Sequence, residues 1–596
     1  MKWFRWLLIV FFLALLVAVS IGCAGSPTPA IPPTTALIVA PTTAPAAAPT
    51  TAPAAAAQGT PGGTLRICAW EEVPNLNPYT CCVLGYDPEV GAILQRLISF
   101  DPDGKPFPVL ATEVPTVENG GLSKDGKTVT YHLRPGVKWA DGEPFTSADV
   151  KFSYEYIMKP ENQVSSRAGF ELVESIETPD PLTAVVHFKQ YYAPWMTIPW
   201  FIIPKHILEK EPNFNSVDWD TKMIGTGPFY VTESVAGDHL TLSRNEYYWE
   251  PGKPLLDQVV ILWISDREAQ KARFKAGDCD MVVDLVETDI ANMKTLPGVD
   301  LYLRSGGLVE RLWLNLSADS GPHMGDPQYP HFFLGDLKVR QALELAINKQ
   351  EMVNTVLSGV NKVGTSDCPG GWAEPTIPAS EFNPAKAKQL LDEAGWTVGK
   401  DGIRECHGCK TAKEGDKASI ILRTTSAKFR QLDAQLIQKY FKDVGVDLKI
   451  ETPEGGPFWG GFSEGGLAAT GNYDMDMWTE LCWVDPAPTL EQTYGAAQIP
   501  TATNSAGRNK VRFVNEEFEQ LLDQGRTALT LEERANAYKR AQEILVEQKP
   551  IIYLFERADI SAVRSSKVKD WMPPEGKPNN WIGLSNYFQN IYLTEK

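Results

Sequence analysis

The sequence predicts an α/β protein built as two lobes. Short β-type runs and helices alternate in no strict βα rhythm, and the strand-like runs concentrate before about residue 315 with the helices after it. A chain of 596 residues, 43% hydrophobic and 22% charged, is long enough for two or three cores. Together these argue against one barrel or one sandwich.

The N-terminus sets the compartment. Lys2 and Arg5 supply a short positive stretch, and Trp6 to Val19 is an unbroken apolar run of about 14 residues. That is below the roughly 18 needed to span a bilayer, so residues 1–22 read as a secretory signal. The following Ser20-Ile21-Gly22-Cys23 resembles the lipobox at which bacterial signal peptides are cut and the cysteine acylated, with Ser20 where leucine is usual. Cys23 is the expected lipidation site; cleavage at another small residue and an uncleaved anchor stay open. Residues 23–61 are rich in Ala, Pro and Thr and carry no charge, a composition that buries no core and serves as a tether. A lipid and a leash hold a folded body near a membrane surface while letting it reorient.

In the body, Leu65–Trp70 is a first strand and Lys127–Trp139 a second, with Val129, Tyr131 and Leu133 on one face and His132 on the solvent side. Thr146 and Asp149 form a capping-box pattern for a helix to about Met158. Asp336 caps an expected helix over Leu337–Leu357, stopped by Gly359. Asn383-Pro384 opens another, ended by Gly395, and Phe429–Val444 is a third, set between the strands Ala418–Thr424 and Val446–Glu451. Glu516–Thr527 and a helix from Thr530 to Gln548, boxed by Glu533, close the series.

The net charge is −18, and the only charges before residue 61 are Lys2 and Arg5, so the acidity belongs to the body. Such a body is a poor nucleic-acid binder. Catalytic signatures are missing: the sequence has no G-x-S-x-G, no H-E-x-x-H and seven scattered histidines, and acid pairs such as Glu71-Glu72 are too common to signify. No cofactor is expected. Beyond Cys23 there are eight cysteines, an even number in an oxidising compartment. Cys406-His-Gly-Cys409 closes a small loop or, less simply, binds metal, but two further ligands are lacking nearby. Cys68, Cys81, Cys82, Cys279, Cys368 and Cys482 cannot be paired from sequence.

The block from Asp125 to Tyr154, containing Trp139-Ala-Asp-Gly142, resembles the signature of family 5 extracellular solute-binding proteins, the peptide-type binding components of ABC importers. Four more blocks continue the resemblance in order: Gly225-Thr-Gly-Pro-Phe229 with Asn245–Trp249, Val339–Leu343 with Ala346–Lys349, Asn383–Trp396, and Asn515–Phe555. The glycines read as turns and not as a phosphate cradle, since no Gly-Lys-Ser/Thr follows. The resemblance implies a periplasmic-binding-protein-like clamp with an extra subdomain in lobe 1 and ligand enclosed between hinged lobes. Lobe 1 is then 62–312 plus 553–596 and lobe 2 is 313–552, with crossings near Glu310–Leu316 and Pro550–Phe555. It also implies a monomer that hands its solute to permease subunits.

By the same resemblance the cleft is lined by Trp70 to Tyr86, including Glu72, and by Met477 to Pro486. Peptide binders of the family carry there an Asp that pairs with the ligand's α-ammonium. Aligned on Asp485-Pro486 it falls at or beside Cys482, so it is absent. Glu480 and Asp485 are the acids left to replace it, though Asp485 equally suits a cap before Pro486. Trp70, Tyr86, Trp478 and Trp483 are suited to stacking on sugar rings or lining an apolar pocket, or to plain packing. Asn315 and Trp372 complete the candidates. The glycine-rich loop Pro453–Phe462 is either a wall of the cleft or a surface connection over Trp459. Expected ligands are a peptide or an oligosaccharide; a sensor signalling through a receptor would look the same.

Overall fold

The computed structural model describes residues 61–595 except 71, 73–75, 80–86, 102–104, 163, 165–166, 168, 200, 454, 483, 506 and 572–587. The signal segment, Cys23, nearly all of the tether, Cys81, Cys82, Tyr86 and Trp483 therefore lie outside the described residues. Ten strands make one mixed sheet: β1 (Thr64–Ala69), β2 (Phe229–Val235), β3 (His239–Arg244), β4 (Gln258–Trp263), β5 (Met281–Leu285), β6 (Asp300–Leu314), β7 (Ser419–Arg423), β8 (Asp447–Glu451), β9 (Met475–Leu481) and β10 (Ile551–Val563). Their order is β8-β7-β9-β6-β10-β5-β1-β4-β3-β2.

Two long strands join the lobes. β6 and β10 pair antiparallel over Asp300–Ser305 with Ala558–Val563, lose register between Ser305 and Val309, and resume from Val309 with Glu556 to Trp313 with Ile551. β5 flanks β10 on the first-lobe side, and β9 flanks β6 on the second-lobe side. The chain thus enters the second lobe along β6 and returns along β10.

Alternation along β6 decides the second lobe's layering. Leu312 and Leu314, with Met475 and Met477 of β9, pack under the helices Leu337–Ala346, Pro384–Glu393 and Lys428–Asp443. Val309 and Trp313, with Ile551 and Tyr553 of β10, pack under Pro486–Tyr494, Glu516–Thr527 and Leu531–Gln548. In the first lobe Leu65, Ile67, Val259 and Ile261 share a core with Trp139, Phe229 and a separate antiparallel sheet of Thr128–His132, Thr183–Phe188 and Val173–Asp180. Val129 and Tyr131 are buried there and His132 is exposed, as the pattern predicts.

Caps place most helices where the sequence puts them. Thr146 starts Ser147–Ile157, its N–H bound by Asp149 at 2.9 Å. Asn383, Asn515 and Thr530 each accept a backbone N–H at the start of their helices. The expected helix Leu337–Leu357 is instead two, Leu337–Ala346 and Lys349–Thr355. The cause is Asn348, whose side chain accepts from the Glu351 N–H at 3.0 Å and opens a second helix. The strand expected over Lys127–Trp139 is limited to Thr128–His132.

Among the described residues three disulfides form: Cys68–Cys279, Cys368–Cys482 and Cys406–Cys409. The last joins the two cysteines of the small loop. Gly142 has φ +92° and needs its missing side chain, whereas Gly225 does so for another reason. A Cβ on Gly225 would sit 1.6 Å from the Ile93 carbonyl oxygen, a clash with backbone that cannot be relieved by a rotamer. Gly225→Ala is expected to destabilise the protein by at least about 2 kcal/mol in urea unfolding, against less for the exposed Gly237→Ala.

Candidate functional site

The second lobe presents its recognition surface where parallel strands end. β7 runs parallel to both β8 and β9. Beyond the carboxyl ends of β7 and β8, against the flank of β9, lies a cavity of about 320 Å³. This is the place open α/β sheets reserve for ligands, because the strand-following loops diverge there. Thr424–Ser426 follow β7, Thr452 and Pro453 follow β8, and the short helix Gly455–Trp459 supplies Phe458 and Trp459. β9 contributes Asp476 and Trp478, which alternation turns away from the Met475 and Met477 core. The glycine-rich loop is therefore a wall of this cavity.

Two tryptophans and two cations form its frame. The Trp459 and Trp478 rings lie 5.0 Å apart at 53°. The Arg430 guanidinium covers Trp478 at 4.5 Å, and the Lys510 ammonium covers Trp459 at 4.7 Å while donating to the Trp459 carbonyl at 3.3 Å. Burial draws the Lys510 pKa down to about 8. Asp476 is 2% exposed, and its Oδ1 is buried with no hydrogen-bond partner. Burial pushes its carboxyl well above the ordinary carboxylate range, and Lys510 and Arg430 offset only part of that.

The acids expected to meet a ligand ammonium are already paired. Glu480 is gripped by both oxygens from Arg508, at 3.0 and 3.1 Å. Asp485 caps the helix Pro486–Tyr494 through the Ala487 N–H at 3.0 Å and takes Arg534 at 2.9 and 2.7 Å. Cys482 is a half-cystine bonded to Cys368 and does not line this cavity, and its N–H donates to the Gly307 carbonyl at the β6 register break, 2.6 Å away. Asn315 is wholly buried; its amide donates to Gly471 and Tyr473 carbonyls and its oxygen accepts from Ser317, so it is framework. Trp372 donates to the Val484 carbonyl at 2.8 Å and packs on Tyr538 and Arg534, steadying the segment after β9. Trp70 donates to Ser265 at 2.9 Å under Arg267, and the exposed Glu72 accepts from the Gly237 N–H; neither lines the cavity. Of the predicted residues that are described, Trp478 is the one that does. Asp476 was passed over, although Asp476, Trp478 and Glu480 share one face by simple alternation.

Close to this surface the crossing strands carry a buried chain of charges. Glu287, in the turn after β5, binds Arg557 of β10 at 2.8 Å; Arg557 reaches Glu310 of β6 at 3.5 Å; Glu310 binds Arg430 at 2.8 and 3.2 Å and accepts from Thr479. Burial would raise the Glu310 carboxyl, but Arg430 and Arg557 outweigh it and hold it below its ordinary value. Two cations thus balance two anions, and Asp433 is left over. Both its oxygens are buried without a hydrogen bond, and burial, aided by Glu310, raises its pKa from 3.8 to about 8.

Elsewhere the lobes meet at Ala193–Thr197, which packs on Glu516–Thr527, and Tyr191 and Tyr192 feel the Asp485 charge. Asp319, His331 and Asp474 cluster within 4.8 Å, but His331 Nδ1 accepts the Phe333 and Leu334 N–H groups. Its proton therefore sits on Nε2, directed at Asp474, and no lone pair faces the acids to hold a metal.

The profile of bacterial extracellular solute-binding proteins, family 5 (middle), matches residues 105–499. The chain belongs to that family. It resembles Protein XP55 of Streptomyces lividans, 28% identical over 473 residues that cover 78% of this chain and 79% of that protein. The solved structure of the oligopeptide-binding protein AppA of Bacillus subtilis, in complex with a nonapeptide, superposes with TM-score 0.74 at 22% identity, covering 90% of this chain and all of that one. NikZ of Campylobacter jejuni, in complex with Ni(L-His), gives TM-score 0.73 at 24% identity over 85% and 95% of the two chains. As a family 5 binding protein the chain is a solute-capturing component of an ABC importer, with two α/β lobes, and not an enzyme. Among the described residues no helix is long and apolar enough to cross a membrane.

The leftover acid of the family 5 crossing has a measurable consequence. Asp433 binds its proton more tightly folded than unfolded, so between about pH 4 and pH 8 it makes stability fall as pH rises. Asp433→Asn is expected to flatten that slope, giving a higher Tm than the parent at pH 8.5 and little difference at pH 4.

Proposed function

We infer that this family 5 protein captures a peptide between its lobes and delivers it to the transmembrane subunits of its ABC importer. The lobes are 62–312 plus 553–596 and 313–552, moving about the β6–β10 register break, and the body works as a monomer on a lipid anchor at Cys23. The observation that carries the reading is the aromatic cavity at the carboxyl ends of β7 and β8, directly beside the strands that cross between lobes. AppA, with its nonapeptide, supports peptide as the ligand class. Closure then shifts an open–closed equilibrium by the ligand's preference for the closed state.

Thermal melting of the full-length protein with tripeptides to pentapeptides and with maltotriose tests the ligand class. A ligand at a hundredfold excess over its dissociation constant adds about 2.7 kcal/mol, a rise in Tm of a few degrees. The expected result is a shift with peptides; a shift with maltotriose alone replaces peptide by oligosaccharide. For the anchor, Cys23→Ser is expected to move the protein from the membrane fraction to the soluble one, and an unchanged distribution removes Cys23 as the lipid site.

A further inference from the structure

The cavity beside Trp478 holds one ionisable side chain among its lining residues, Asp476, and one of its two oxygens, Oδ1, is buried with no hydrogen-bond partner. The others are Thr424, Thr425, Ser426, Thr452, Pro453 and three aromatics, all uncharged. The acids on and just after β9 and at its neighbouring strand are otherwise answered: Glu480 has Arg508, Asp485 has Arg534, Glu310 has Arg430, and Asp474 has the His331 N–H, while Asp433 lies in the crossing network and lines no part of the cavity. Asp476 has no ion pair, and its Oδ1 is buried without a hydrogen bond although the residue lines the cavity. Lys510, the cation whose charge acts most on Asp476, is turned to the Trp459 ring and carbonyl. A buried carboxylate left so is costly unless something arrives to pair with it.

We propose that this cavity is a cation subsite, in which a ligand ammonium or guanidinium enters beside Trp459 and Trp478 and pairs with the Asp476 carboxylate. The inference rests on the reading of the chain as a solute-capturing protein. An ammonium has three donors. Asp476 takes one; the Thr424 hydroxyl, which gives its own proton to the Met477 carbonyl at 3.1 Å, keeps lone pairs to accept another. The pairing is strong because the site is shielded from water. It also supplies, from a different position on β9, the anion that Glu480, Cys482 and Asp485 do not.

The cation has two possible sources, a peptide N-terminus or a basic side chain, and one probe series separates them. Dissociation constants of the full-length protein are measured for trialanine, N-acetyl-Ala-Lys-Ala, N-acetyl-trialanine, cadaverine and maltotriose. The expected result is that N-acetyl-trialanine binds at least tenfold more weakly than the better of trialanine and N-acetyl-Ala-Lys-Ala, the better one naming the source. Asp476→Asn is expected to cost the cationic probes tenfold or more, with a Tm for the empty variant no lower than the parent's. Equal binding of charged and neutral peptides overturns the cation subsite while leaving peptide capture standing. Cadaverine binding without any peptide keeps the subsite and removes peptide capture. Binding by maltotriose alone, or by none of the cationic probes, overturns the subsite, as does an Asp476→Asn variant that binds the cationic probes like the parent.

Discussion

The structure turns on the buried sequence Glu287–Arg557–Glu310–Arg430, which runs across the place where β6 and β10 pass between lobes. Glu287 belongs to the turn after β5, Arg557 and Glu310 to the two crossing strands, and Arg430 to a second-lobe helix. The side chains of Glu287 and Glu310 are wholly buried, and those of Arg430 and Arg557 nearly so. Removing any one would strand its neighbours' charges, at a cost of about 3–5 kcal/mol. The strands lose register just here, so backbone pairing alone does not fix how the lobes join. Charge complementarity does that work over a few residues.

The same network organises the recognition surface. Arg430 is held by Glu310, Thr425 and Thr479, and so presents a fixed guanidinium to the Trp478 ring. Trp478 in turn braces Trp459, on the short helix whose Phe458 is buried against Ala468 and Tyr473. At the far end of β9, Cys482 is tied covalently to Cys368 and by its N–H to Gly307 at the register break. The strand that lines the cavity is thus tied to the crossing strands through Arg430 and Glu310 and through Cys482 and Gly307. That coupling is what a protein needs if closure is to report occupancy.

Much of the framework was legible in the sequence because it depends on local chemistry. Asn383, Asn515 and the Thr530/Glu533 box start helices through contacts within four residues, and His132 is exposed because strand alternation puts it there. The lobed architecture was legible through resemblance and through the shift from strands to helices near residue 315. Asn348 was missed for a local reason too: an apolar stripe runs on across it, and the capping side chain overrode the stripe. The site was hardly legible. Glu480 and Asp485 look alike as free acids in one dimension, and only distant residues, Arg508 and Arg534, reveal that both are neutralised. Cys482 could be judged only once its partner 114 residues away was known. Trp478 lies at the cavity wall because it sits on a strand whose alternation needs no partner to read.

Two acids in this lobe, Asp433 and Asp476, lack hydrogen bonds on buried oxygens, and they teach different things. Asp433 is walled in by the crossing network, where two arginines already answer two glutamates, so its proton is the only counterpart available to it. Asp476 borders a cavity bounded by hydroxyls and indoles, where an arriving group can reach it. Burial raises both carboxyls, so titration alone does not separate a packing compromise from a recognition group. Access does. A sealed acid can change only by losing its proton into a crowded negative field, whereas an acid at a cavity wall can exchange that proton for a ligand's cation.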